Sequence, residues 1–227
     1  WVEGTDFRRL NTLTGSQAVP NGLAPPTLVD ADGDGMVDFV YAGDLKGNMW
    51  KFDVSSSSAG AWDVAFSAAG NPAPLYVAMD PSAVTQTITA PASVMNHPSG
   101  GFLVLFGTGQ YLQPADPNPP YSVNSFYAVW DQQTKTFVNA TVNPAAGRIA
   151  TSVTARNSLL LQQQEFITTV TVAGIEFRVW TANETDYATQ RGWYTDFPSV
   201  NLPGRSDLTG ERMVVSPIIR NGKAIIT

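Results

Sequence analysis

Residues 30–54 read DADGDGMVDFVYAGDLKGNMWKFDV. Asp30, Asp32, Asp34 and Asp38 crowd the first nine positions, with Gly33 and Gly35 between them. Two apolar runs follow, FVYAG and NMWKFDV, rich in β-branched and aromatic residues and parted by the turn LKGN at 45–48. That pattern predicts a β-hairpin entered through an acidic loop. Like charges at this density need a reason. Two carboxylates about 5 Å apart repel by roughly 3 kcal/mol at an effective dielectric near 20, and by much less in a water-exposed loop.

A cation reverses the sign of that repulsion. Asp30, Asp32 and Asp34 hold positions 1, 3 and 5 of a D-x-D-x-D-G loop, and Gly35 stands at position 6, where the chain must turn sharply. Met36 at position 7 offers its backbone carbonyl, and Asp38 at position 9 offers another carboxylate, directly or through water. Hard oxygens in this order suit Ca²⁺; Mg²⁺ prefers a smaller octahedral site, and no His or Cys is near for zinc. The loop is not an EF-hand, because Tyr41 stands at position 12 in place of the bidentate Glu and the flanks read as strands. Asp44, at the far end of the first strand, is a further candidate ligand.

Outward from this loop the chain keeps the same character. Strands are predicted at PTLV, MVDFVYAGD, NMWKFDV, GFLVLFGTG, SFYAVWD, TFVNATV, FITTVTVAG, EFRVWTA, MVVSPII and KAIIT. NSLLLQQQEF at 157–166 reads as either one helix or a strand. IRNGK at 219–223 predicts a tight primed turn, and DQQTK at 131–135 a further turn. SSSSAGA at 55–61 and QPADPNPPYS at 113–122 are expected to be exposed loops. A weak repeat begins at Ala24, Ala90 and Ser216. Each copy has Pro, a short β run, a turn and a second apolar β run, as expected of propeller blades with insertions. The second copy carries MNHPSGG where the first has its acidic loop, so only the first is expected to bind metal.

Composition narrows the class. The 227 residues are 43% hydrophobic and only 14% charged, with 19 Gly and 16 Pro, which suits one large all-β domain over residues 1–227. The net charge of −6 and the lack of a basic stripe argue against nucleic-acid partners. With no cysteine, thiolate chemistry, disulfides and Cys-type zinc sites are excluded. No apolar run approaches the roughly 20 residues of a membrane-spanning helix. The ending AIIT reads as an unfinished strand, so the chain is expected to be part of a longer protein.

DADGDGMVDFVYAGDLKGNMWKFDV resembles the calcium-bearing blade of the PilY1/PilC family of type IV pilus tip-associated proteins. RGWYTDF at 191–197 and GERMVVSPIIRNGKAIIT at 210–227 resemble that family's C-terminal region. The resemblance implies a modified β-propeller with quinoprotein-like blades, present here as a partial propeller. It implies an exported protein at the bacterial surface or pilus tip, acting in pilus extension and retraction and in surface adhesion. The implied partners are minor pilins and host or abiotic surfaces. The family's calcium ligands map onto Asp30, Asp32, Asp34, Met36 through its carbonyl, and Asp38. FG-GAP blades share the D-x-D-x-D-G-x-x-D pattern but would be expected to repeat it, and it occurs once here. AGDLKGNMWKFD also resembles a quinoprotein blade motif, in which Trp50 would dock on the neighbouring blade and Gly47 would permit the turn. A quinoprotein dehydrogenase would need more such motifs and a positioned base, so no catalysis is expected. A carbohydrate-binding module is the third alternative, with the six tryptophans as its platform, although most are expected to be core.

Other residues carry plainer expectations. His97, the one histidine, lies in a Pro/Gly turn and is expected at the surface; no G-x-S-x-G elbow accompanies it. Trp193 and Tyr194 are read as strand residues, QQQE as a polar face, and Arg8, Arg9, Arg205 and Arg212 as solvated or paired.

Overall fold

The computed structural model describes residues 1–132, 162–164, 166–197 and 210–226. Its strands are short and antiparallel neighbours dominate. The first blade is the meander β1 (Thr27–Val29), β2 (Phe39–Gly43), β3 (Asn48–Asp53) and β4 (Asp63–Val64). A small hairpin, β5 (Phe66–Ala68) with β6 (Asn71–Ala73), follows, and β7 (Tyr76–Val77) pairs with the start of β3. The second blade contains β8 (Ser93–Asn96), β9 (Phe102–Gly107) and β10 (Ser125–Asp131). It is completed by β11 (Gln162–Gln164) and, after the hairpin β12 (Phe166–Val172)–β13 (Ile175–Trp180), by β14 (Gly192–Asp196), in the order β11-β14-β10-β9-β8. The hairpin β15 (Ile218–Arg220)–β16 (Lys223–Ile225) opens a third unit.

Strand alternation sorts the side chains into layers. Tyr41 and Met49 of the first blade meet Phe102, Val104, Phe106, Tyr127, Val129 and Tyr194 of the second in one buried core. The residues between them on the first blade, Ala42, Trp50, Phe52 and Val64, form a separate cluster on its other face, with Leu10 and Val40 against it. Those on the second blade, Leu105, Phe126 and Ala128, pack on Met213, Ile219 and Ala224. The first and second blades are therefore each buried on both faces. Trp50 packs with its own blade and the N-terminal segment rather than with the second blade.

The repeat is real in three dimensions. All three copies fold as the first hairpin of a unit, β1–β2, β8–β9 and β15–β16. Thr27 Oγ1 donates to the carbonyl of Ala92 at 2.6 Å, and Ser93 Oγ donates to the carbonyl of Pro217 in the same way. Ile88 N binds the Asp44 carbonyl at 3.0 Å, and Met213 N binds the Thr108 carbonyl at 2.8 Å, again in equivalent places. The LKGN turn forms as expected, with Gly47 at φ +83° and its N–H on the Asp44 carbonyl. Asn221 and Gly222 both have positive φ, as a primed turn requires.

Some expectations shift. MVVSPII is strand only from Ile218; its first residues run as the connection that seats Met213. Gln162–Gln164 is strand, the second of the two readings, and the rest of NSLLLQQQEF is outside the described residues, apart from Phe166 in β12. TFVNATV, Arg205 and most of DQQTK also lie outside them. The QQQE run is less of a bare polar face than its composition suggests: Gln163 accepts the Tyr194 hydroxyl at 3.0 Å, and Gln164 binds Asn183 through both ends of its amide. No helix among the described residues is long and apolar enough to cross a membrane.

Candidate metal centre

The acidic loop joins β1 to β2. Its base is closed by the Val29–Phe39 pair and by Asp38 N on the Val29 carbonyl at 2.9 Å. The Asp38 carbonyl in turn accepts Val54 N at 2.8 Å, which ties the loop to the end of β3. Phe39, the next residue, meets Phe102 of the second blade edge-on at 6.5 Å. The loop is thus solvent-exposed at its tip and anchored at its root in the core between the blades.

Inside the loop the backbone turns its amides onto the carboxylates. Asp30 accepts Gly33 N at 2.7 Å on one oxygen and Gly35 N at 2.9 Å on the other. Asp32 accepts Asp34 N at 3.1 Å, Asp34 accepts Met36 N at 2.7 Å, and Asp38 reaches across to accept Ala31 N at 2.7 Å. Gly33 at φ +83° and Gly35 at φ +88° supply the left-handed conformations that aim those amides inward. A carboxylate has about four lone-pair sites, so each keeps acceptor capacity after these bonds. The Gly35 and Gly33 amides hold Asp30 below the ordinary carboxylate range.

Three carboxylates come together. Asp30, Asp32 and Asp38 each place an oxygen within 4.8 Å of the others. Ligands 2.3–2.6 Å from one calcium ion can stand at most about 5 Å apart, so this spacing fits a shared ion. The donors are hard oxygens on an exposed loop, several of them carboxylates, which fits the larger calcium cage better than a small octahedral metal. Asp34 lies outside that trio, its carboxylate turned to the Met36 amide. Met36 follows in the coil with an exposed side chain. A cleft of about 680 Å³ lies beside the loop, lined by Leu28, Met36, Val40 and Trp62 together with Asp32 and Asp34.

Asp44 is not part of this group. It is fully buried at the other end of β2 and accepts Lys46 N, Asn48 N, Asn48 Nδ2, Trp50 Nε1 and Asn21 Nδ2, all between 2.7 and 2.9 Å. It organises the β2–β3 turn. His97 is the second departure: it is 7% exposed and stacked on Trp130, where a surface residue was expected. Trp193 and Tyr194 lie in β14 as expected. Arg9 pairs with Glu3 at 3.7 Å, and Arg212 binds the carbonyls of Gln110 and Gly210. The inward amides of Ala31, Gly33 and Gly35 were not read from the sequence, though the alternating glycines carried their signal.

Residues 3–164 match the family model of the PilY1 beta-propeller domain. The chain is 34% identical over 244 residues to the type IV pilus biogenesis factor PilY1 of Pseudomonas aeruginosa PAO1, covering 98% of this chain and 20% of that protein. It is 32% identical over 208 residues to a type IV pilus biogenesis factor PilY1 homolog of Xylella fastidiosa, covering 91% of this chain and 13% of that protein. Among solved structures it is similar to the Pseudomonas aeruginosa PilY1 C-terminal domain, with a TM-score of 0.66 and 33% identity over 90% of this chain and 43% of that one. The chain thus spans a fifth or less of the length of these curated relatives. The blade stack, the repeated hairpins and these matches agree: this chain belongs to the PilY1 family, within its β-propeller domain.

Proposed function

We propose that this chain is the calcium-binding propeller portion of a type IV pilus biogenesis factor, exported to the cell surface, where it acts on pilus extension and retraction and on adhesion without catalysis. One observation carries the metal assignment: carboxylate oxygens of Asp30, Asp32 and Asp38 lie within 4.8 Å of one another. Asp34, whose carboxylate now accepts the Met36 amide, and the Met36 carbonyl would complete the ligand set for calcium. The role in biogenesis is supported by the names of the relatives, which are type IV pilus biogenesis factors.

The mechanism follows from the loop's anchoring. With these carboxylates held on one ion the loop tip would be fixed, and Asp38 would pass that restraint to Phe39 at the blade interface and to Val54. The apolar cleft beside the loop then holds one shape, and a minor pilin or another surface docks against it. Calorimetry with calcium tests the ligand set. Asp38→Ala should lower affinity at least tenfold, about 1.4 kcal/mol, and leave the far-UV circular dichroism intact. Unchanged affinity in that variant would remove Asp38 from the site, and unchanged affinity in Asp30→Ala and Asp32→Ala as well would remove the site itself.

A further inference from the structure

His97 is the only histidine in the chain and opens the turn between β8 and β9. Its imidazole stacks on the indole of Trp130, with centroids 4.3 Å apart, and meets Tyr187 edge-on at 4.3 Å. Trp130 is fixed on both sides: its indole N–H donates to the Gly100 carbonyl at 2.8 Å, and its backbone N–H to the Arg191 carbonyl at 2.8 Å. Tyr187 and Arg191 belong to residues 181–191, the strandless connection from β13 to β14. Gln164 holds the start of this connection at Asn183 and Trp130 N holds its end at Arg191, so its middle is held against the second blade by a three-ring stack with His97 at its centre.

The surroundings suit a neutral imidazole. Nδ1 accepts Ser99 N–H at 3.1 Å, so that nitrogen carries no proton. Adding one would set two donors against each other. The Arg191 guanidinium already lies 5.6 Å from the Trp130 ring, so protonated His97 would bring a second cation to the same indole. No described carboxylate contacts the imidazole to offset this. Asp131, next to Trp130 on β10, is taken by Lys51 and Tyr41; Asp186 accepts Ala188 N and the Thr189 hydroxyl; Glu184 is exposed. Burial accordingly holds His97 below the ordinary histidine value.

We infer that His97 is an acid-sensitive latch: neutral, it closes the stack on Trp130 and Tyr187, and protonated, it releases the middle of that connection, residues 184–190, from the second blade. Docking prefers the neutral ring. It is at full strength above the unperturbed histidine value of about 6.5 and weakens as pH falls through the depressed one.

Because there is one histidine, its NMR titration is unambiguous. The midpoint should lie below about 6.5, and release should grow about tenfold for each unit of depression. Amide hydrogen exchange across 184–190, corrected for the intrinsic pH dependence of exchange, should rise correspondingly between about pH 7.5 and 5. His97→Phe keeps an aromatic ring in the stack without a titrating nitrogen and should abolish that rise. A midpoint at or above 6.5 would overturn the latch even if the variant fails to fold. So would pH-independent exchange in the native protein, or an undiminished rise in His97→Phe.

Discussion

Asp38 and Asp44 bracket β2, and the same side chain does opposite work at its two ends. Asp38 is on an exposed loop, with one oxygen on the Ala31 amide and capacity left for a cation. Asp44 is fully buried and satisfies five donors from the turn, Trp50 and Asn21. Removing its carboxylate strands those donors in the interior, where each unsatisfied group costs about 1–3 kcal/mol. Asp44→Ala should therefore destabilise the fold by at least about 3 kcal/mol in urea unfolding while leaving calcium affinity unchanged under folding conditions. Lost calcium binding in a variant that remains folded would return Asp44 to the ligand set. Local spacing alone made both aspartates candidate ligands. The distinction rests on Asn21 and Trp50, which the chain brings to Asp44 from outside the turn.

At the scale of the strand, alternation decides which face each residue serves, and one alternating position is charged. Lys51 faces the same side as Tyr41 and Met49, into the core between blades, where its ammonium meets Asp131 of β10 at 2.7 Å and lies 4.0 Å from the centre of the Phe39 ring. Both charged side chains are at least 95% buried, and the Tyr41 hydroxyl completes the group by donating to Asp131 at 2.5 Å. Desolvation, reinforced by the neighbouring carboxylate, raises Tyr41 well above the ordinary phenol value, so it remains a donor. Lys51→Met leaves Asp131 without its cation and should cost about 3–5 kcal/mol. Lys51→Met combined with Asp131→Leu should recover much of that loss, because an apolar pair of similar volume needs no desolvated charge. Equilibrium unfolding of the two variants measures the difference; a double variant as unstable as the single one would show that the ion pair itself, rather than the avoidance of a lone charge, matters. The run SFYAVWD announces the strand that carries Asp131, but nothing near it announces Lys51 as its partner.

Across the whole molecule the blades are joined by a device that recurs. Gly43 ends the second strand of the first blade and Gly107 that of the next. A Cβ at Gly43 would strike Ile88, and one at Gly107 would strike Met213, each from the connection that leads into the following unit. Gly43→Ala forces Ile88 and the backbone behind it to move, and should cost about 1–3 kcal/mol of stability, read as a lower urea midpoint with an unchanged slope. A neutral substitution would mean the connection is free to shift. The glycines were visible as the ends of FVYAG and FLVLFG, and so was the repeat they punctuate. Strand-forming runs, the Asn-Gly turn, the hairpin of each repeat and the cluster of acidic oxygens were all legible from the chain alone, because each depends on residues close together in sequence: a period of two, a turn dihedral, a spacing along one loop. The burial of Asp44, the Lys51–Asp131 pair and the enclosure of His97 by Trp130 and Tyr187 were decided only when distant segments met. Their partners come from other segments of the chain, and no local pattern encodes which segment will come to lie alongside.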